Sequence, residues 1–257
     1  MDEISQKKCE RPHGRARAPR ADSRPDVRRP PAPRDTPHPV PYPRLIDLTL
    51  ALRPGDRGVA CEPARTLARD GWNAATWHLY SHAGTHMDGQ LRFGAGAETI
   101  DTKPLTQCVG PAWVVNLTPT APRALLTVAD LGAVAAKFQP GDSLLLRTDW
   151  HRHAADPALN RDALPRISEE LAQWCVSRRV RLFGAEPPSV ADVNHLPEFT
   201  RVHQILLGGG VTIVEGLAHL DQLTQEKVRL VALPLKLAGG DGAPVRAIAV
   251  EGLEAIA

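Results

Sequence analysis

Residues 82–92 read HAGTHMDGQLR, so His82, His86 and Asp88 fall within seven residues and Arg92 follows four later. Two histidines four apart would share one face of a helix, as they do in zinc proteases. Here Gly84 and β-branched Thr85 stand between them, the strand-like WNAATWHLYS precedes them and Gly89 follows closely. A strand running into a turn is therefore the expected local structure. On a strand His86 and Asp88 point to one face, and a turn at Gly84 can bring His82 round to join them. Two imidazoles and a carboxylate suit zinc, manganese or iron and leave coordination positions for water and substrate.

Outward from this motif the chain alternates short β-like runs with turn residues. The expected strands are 45–52, 73–80, 112–117, 143–148, 181–184, 211–214, 228–233 and 245–250. TVADLGAVAAKF (127–138) predicts a helix, with Thr127 and Asp130 as a capping box and Val128, Leu131, Val134, Ala135 and Phe138 on one face. SEELAQWCVSRR (168–179) predicts another, capped by Ser168, started by Glu169 and Glu170, and striped by Leu171, Trp174 and Cys175. Strands interleaved with helices imply an α/β domain. Further on, HQILLGGGVTIVEG places His203 before an apolar helical turn, and an apolar strand then ends in Glu215. A glutamate there is costly to bury unless it pairs with a cation. The intervening Gly208–Gly210 lacks the GK[ST] of a phosphate loop and is expected to let the backbone turn sharply.

The N-terminal part has a different texture. Ten of the 24 prolines and nine arginines lie within residues 1–44, which carry about +5, whereas the whole chain is formally +2. Residues 1–43 lack apolar periodicity and are expected to be a disordered basic tail, leaving 44–257 as one domain. Its arginines have almost no aromatic interleaving, so no nucleic-acid partner is expected. The four cysteines, Cys9, Cys61, Cys108 and Cys175, show no CxxC spacing and read as unpaired thiols in a reducing compartment. No apolar run reaches the roughly 18 residues of a membrane span, and no secretory signal is evident. No membrane partner is expected, and a cytoplasmic location follows.

HAGTHMD matches the first seven positions of HxGTHxDxPxH, the signature of the cyclase family of metal-dependent hydrolases, which includes bacterial kynurenine formamidase and isatin hydrolase. His203, Leu206, Leu207 and Glu215 match the family's later pattern, with weaker echoes in GDSLLLRTDW from Gly141, FGAEPPSVAD from Phe183 and GGDGAPVRAIA from Gly239. The chain thus resembles this family from about Leu45 to its C-terminus. The resemblance implies a swivelling β/β/α fold with a mixed sheet, one or two divalent ions (zinc or manganese), and a homo-oligomer, dimer or tetramer. It implies His82, His86 and Asp88 as ligands of one ion, with Asp88 able to bridge to a second held by His203 and Glu215. The expected activity is hydrolysis of a small amide, ester or lactam, as in arylformamidases, by water activated on the cation.

Arg92 is the departure. The family motif ends in proline and then the histidine taken as general acid/base, whereas this chain has Gln90 and Arg92. Arginine stays protonated and cannot shuttle protons. Arg92 is read as the candidate catalytic residue, clamping a substrate carboxylate or stabilising an oxyanion, or else repelling a second cation. The alternative is a catalytically silent relative that binds metal or a small ligand. His78 is expected to be packed or to line the pocket. His151 and His153 are expected in a loop, His195 and His219 at the surface with His219 a candidate to orient a ligand near Glu215, and Glu186 at a proline turn bordering the pocket.

Overall fold

The fold was obtained as a computed structural model, which describes residues 43–252; apart from Pro43, the segment read as a tail lies outside the described residues. The strands are β1 (Arg44–Asp47), β2 (Val59–Arg65), β3 (Ala74–Leu79), β4 (His86–Asp88), β5 (Val109–Asn116), β6 (Leu125–Leu126), β7 (Ser143–Arg147), β8 (Arg166–Ile167), β9 (Leu182–Ala185), β10 (Thr212–Glu215), β11 (Lys227–Pro234) and β12 (Gly242–Glu251). Eight of them form one mixed sheet in the order β1-β12-β11-β5-β7-β9-β10-β4. Because β4 also pairs with β12, seven strands close into a barrel, with β1 added beside β12. Strands β5, β7, β9 and β10 run parallel. Parallel neighbours need long crossovers, and helices Glu169–Ser177 and Leu196–Gly208 lie within two of them.

The apolar runs explain the two layers. Strands buried on both faces read as continuous apolar stretches rather than alternations, as in SLLLR of β7 and TIVE of β10. Leu145, Leu182 and Val214 pack inside the barrel with Met87 and with Ala232, Ala243, Ala247 and Ala249, small residues that suit a narrow interior. Leu144, Leu146, Phe183 and Ile213 pack outward with Leu171, Cys175, Val202 and Leu206 of the two helices. Cys108 and Cys175 are buried free thiols, and burial pushes both up from the ordinary thiol range.

All eight expected strands have counterparts, although the one expected over 45–52 ends at Asp47, with Thr49 joined to Leu217 by an isolated bridge. Four other features differ from expectation for identifiable reasons. The predicted helix 127–138 is a 3₁₀ turn at Val128–Leu131 followed by a single α-turn at Val134–Lys137. The Thr127/Asp130 capping box is present, but Gly132 takes a left-handed φ of +53° and stops the helix. His203, expected before a helical turn, lies well inside the longer helix Leu196–Gly208. Strand β2 has no counterpart among the expected strands, because VACEPAR carries Pro63 and two charges. It pairs with β3 in a two-stranded hairpin outside the barrel sheet. His78 on that hairpin is exposed and meets Glu62 at 3.0 Å, rather than being packed or lining the pocket. Among the described residues, no helix is long and apolar enough to cross a membrane.

Candidate metal centre

The three-residue strand β4 is the hinge of the site. It fits between β10 and β12, with Met87 opposite Val214 on one side and Ala243 on the other. Met87 enters the barrel core, so the alternation of a strand sends His86 and Asp88 to the outer face. On β10 the residue opposite His86 is Glu215, which shares that face. Helix Leu196–Gly208 covers it and supplies His203, stacked on Phe93 with ring centroids 4.4 Å apart. The expected turn brings His82 back: Gly84 is left-handed at φ +57°, and the His82 and His86 rings meet edge to face at 5.1 Å. A helix carrying both histidines is thereby excluded.

All five residues named as ligand candidates converge. His82 Nδ1 lies 2.9 Å from Asp88 Oδ1, and His86 Nε2 lies 3.1 Å from Glu215 Oε2. His203 Nε2 lies 3.1 Å from Glu215 Oε1 and 3.7 Å from Asp88 Oδ2. Second hydrogen bonds orient the rings: His86 Nδ1 donates to the Gly84 carbonyl at 3.0 Å and His203 Nδ1 to the Phe199 carbonyl at 2.6 Å. This leaves both Nε2 atoms facing the carboxylates, the arrangement expected of ligating imidazoles.

The donor set fits a divalent ion. His86 Nε2, Asp88 Oδ2 and Glu215 Oε2 are buried atoms without a hydrogen-bond partner, since the 3.1 Å approach of His86 to Glu215 is not aligned for a hydrogen bond. Unpartnered buried polar atoms are rare and call for an explanation such as an ion. Two ligands on bonds of about 2.0–2.2 Å stand roughly 3 Å apart, close to the spacing seen here. Asp88, His203 and Glu215 form one possible ligand group and His82, His86 and Asp88 another.

Arg92 enters this cluster instead of lining its rim. Its Nη1 donates to Asp88 Oδ1 and to His82 Nδ1, the latter at 2.9 Å, and lies 3.7 Å from Glu215 Oε2. The neutral His82 tautomer protonated on Nε2 satisfies these contacts, because Nε2–H then donates to Asp241 Oδ2 at 2.8 Å while the Nδ1 lone pair accepts from Arg92. Phe93 and Phe199 flank the guanidinium at 5.2 and 5.6 Å, within cation–π range.

The charges are strongly coupled. Burial works against an ionised Glu215, but the hydrogen bond with His203 and the nearby His203 and His86 imidazoles hold its pKa well below the usual carboxylate range. Burial and the Glu215 charge oppose ionisation of Asp88, yet Arg92, His82 and His86 keep it lowered. For His86 burial disfavours the cation, and Glu215 and Asp88 outweigh it, so its pKa is raised.

The sequence reading missed Asp241, Phe93, Phe199 and Gly242. Asp241 and Gly242 were within reach, since both lie in GGDGAP. A β-carbon on Gly242 would stand 2.5 Å from His82 Cε1 and 2.8 Å from the Met87 carbonyl oxygen. Gly242→Ala is therefore expected to destabilise the fold by about 1–3 kcal/mol and to displace His82, seen as a lower Tm together with weaker metal retention. His219 does not serve Glu215. It packs against His151 with ring centroids 5.2 Å apart, and Glu186 is a buried partner of His151 rather than a residue of this cluster.

A mixed-sheet barrel thus carries a buried histidine–carboxylate cluster, able to hold a metal ion, on its outer face, and comparison with known proteins gives the class to which this arrangement belongs. The Cyclase family model matches residues 46–192. A kynurenine formamidase from Salinibacter ruber is 30% identical over 213 residues, covering 80% of this chain and 93% of the relative. A second, from Bacillus cytotoxicus, is 29% identical, covering 77% and 90%. Isatin hydrolase A from Ralstonia solanacearum superposes with a TM-score of 0.72 at 25% identity, covering 82% of this chain and 92% of that one. The chain belongs to the cyclase family.

Proposed function

We propose that the protein is a metal-dependent hydrolase of a small amide, ester or lactam, arylformamidase-like in its choice of a non-peptide carbon–nitrogen bond. The observation that carries the reading is the trio of unpartnered buried atoms, His86 Nε2, Asp88 Oδ2 and Glu215 Oε2, converging with His203. Similarity to formamidases and isatin hydrolases supports the reaction class. These residues would hold a zinc or manganese ion, which when bound would supply polarisation of a carbonyl oxygen and lower the pKa of water. Glu215, held by His203, His86 and the Val190 N–H, fixes the ligand geometry. Asp241, partly open to solvent, accepts from His82 and offers a way out for a proton.

Arg92 is assigned the place of a second cation. With neutral imidazoles, Asp88, Glu215 and Asp241 bring three negative charges and Arg92 one positive, so a single divalent ion balances the cluster and two would leave a net positive charge in a buried site. All of Arg92's polar contacts here run through Nη1. Nε and Nη2 remain to stabilise a developing oxyanion or a substrate carboxylate. Purified protein is therefore expected to carry one zinc or manganese per principal site and to hydrolyse formanilides or N-formyl aromatic amines. Elemental analysis beside a turnover assay checks it. Metal without turnover on formamides, lactams and esters would establish the silent relative instead.

The hairpin β2–β3 supports a homodimer as the working form, because it leaves Trp77 and Leu79, which share one face of β3, exposed together with nearby Trp72 and Tyr80, and large exposed apolar side chains gathered in this way mark interfaces. Tyr80 also meets the His82 ring edge at 5.4 Å, linking the hairpin to the site. Trp77→Glu is expected to shift the native mass by light scattering from dimer to monomer.

A further inference from the structure

The turns that follow β7, β9 and β10 gather a second cluster from residues far apart in the chain. Just beyond β9 stands Glu186, fully buried. Its Oε2 accepts the Thr148 and Trp150 N–H groups at 2.7 and 3.3 Å, and its Oε1 accepts from His151 Nδ1 at 2.8 Å. With the Thr148 hydroxyl, which donates to Oε2 at 3.2 Å, four donors hold this carboxylate in place. It fixes the His151 ring with Nε2 turned toward Asp221 Oδ1, 3.9 Å away. That oxygen is buried and has no hydrogen-bond partner, while Asp221 Oδ2 accepts from Arg152 at 3.1 Å. His219 completes the group from a left-handed backbone position at φ +58°. One ligand atom from each of His151, His219 and Asp221 lies within 4.8 Å of the others.

We propose that His151, His219 and Asp221 bind a second type of divalent transition-metal ion site, separate from the Glu215 cluster. Two imidazoles and one carboxylate oxygen form a mixed nitrogen–oxygen set suited to zinc and its borderline neighbours, and unsuited to calcium or magnesium, which require mostly oxygen. Glu186 behind His151 makes the carboxylate–histidine pair that orients and strengthens an imidazole ligand. Side chains held to bonds of about 2.0–2.2 Å must close in by roughly 1 Å from the present spacing. That movement is available to His219 and Asp221, which are half-buried at the surface. The ion would fasten the turn Trp150–His153 to the turn Leu220–Gln222, so its role is a structural tie between two crossover ends. The site does not depend on the reading of the Glu215 cluster as catalytic.

Zinc-loaded full-length protein freed of excess metal by gel filtration provides the test, with zinc counted per chain. His219→Ala and the near-isosteric Asp221→Asn are each expected to retain one zinc fewer than wild type while turnover at the Glu215 cluster is unchanged. The double variant His86→Ala/Glu215→Gln is expected to keep one zinc, lost when Asp221→Asn is added, and zinc should raise the Tm of that double variant by several degrees. Equal zinc in wild type and Asp221→Asn, with circular dichroism showing both folded, would overturn the site and leave a hydrogen-bond network only. Loss of turnover in the double variant with retention of this zinc separates the two sites from each other.

Discussion

Glu215→Gln is expected to release the ion of the principal site and to lower hydrolysis by about 10³-fold or more, a loss of roughly 4 kcal/mol of transition-state stabilisation, while the chain stays folded. The substitution keeps volume and shape. Its amide oxygen can accept the Val190 N–H now held by Glu215 Oε1 at 2.7 Å, and its NH2 can donate to a neutral imidazole. What disappears is the negative charge on which both His86 and His203 converge. Elemental analysis and turnover on a formanilide measure the two effects, and a variant that retains metal and rate would remove Glu215 from the ligand set. The metal-free proteins give a second signature. Glu215 has a lowered pKa, so its contribution to stability is present above the unfolded value of about 4.3 and fades as pH falls through the folded one. His86 has a raised pKa, so its contribution is present below about 6.5 and fades as pH rises through the folded value. The pair thus adds stability most fully between about pH 4.3 and 6.5, and denaturant titrations of the Gln variant should lack that maximum.

How much of this was legible in the sequence differs from element to element. Strands β7 and β10 announce themselves because they are buried on both faces, so SLLLR and TIVE carry apolar runs, whereas β11 shows through its alternation, with Val228, Leu230 and Ala232 buried and Arg229 and Leu233 exposed. Strand β2 does not, because its burial pattern is mostly exposed and its partner is a hairpin strand rather than the barrel. The break in 127–138 was written in Gly132, whose left-handed backbone outweighed a good cap and a correct apolar face. At the candidate metal centre the local triplet was readable from HAGTHMD, since Gly84 and strand alternation suffice to converge it. The union with His203 and Glu215 was available only through family resemblance, because no local pattern links residues 86 and 215. What stayed hidden was the depth of Arg92, which the sequence places beside the cluster and the fold places inside it. The His151 group was hidden for a related reason. Its members come from three turns that mean nothing singly and meet only because β7, β9 and β10 are parallel neighbours.

Arg92→Ala is expected to raise the metal content of the principal site from one ion toward two and to lower turnover by about 10²-fold. The reasoning begins with the guanidinium nitrogen that now contacts Asp88 Oδ1 and His82 Nδ1, the two atoms a second cation would need. Removing it frees a carboxylate oxygen and an imidazole lone pair in a buried space, and such atoms are costly to leave unpaired. A second divalent ion restores the partner that has been lost. The rate is expected to fall nonetheless, because on the proposed reading the donors of Arg92 that would stabilise the developing oxyanion go with it, and an extra ion does not reproduce their geometry. Arg92→His separates these contributions. It also opens the second position, but brings back a side chain that can take up and release a proton near neutral pH. Its turnover should exceed that of Arg92→Ala by about 10²-fold and should acquire a new titration near the imidazole range. Metal counting in an Asp221→Asn background, which leaves only the principal site, decides the structural half of the argument, since a constant single ion with Arg92 intact and with Arg92→Ala or Arg92→His would mean that Arg92 does not hold the place of a cation. The kinetic half is decided by the pH profile, because equal rates and equal profiles for Ala and His would deny the position any part in proton transfer.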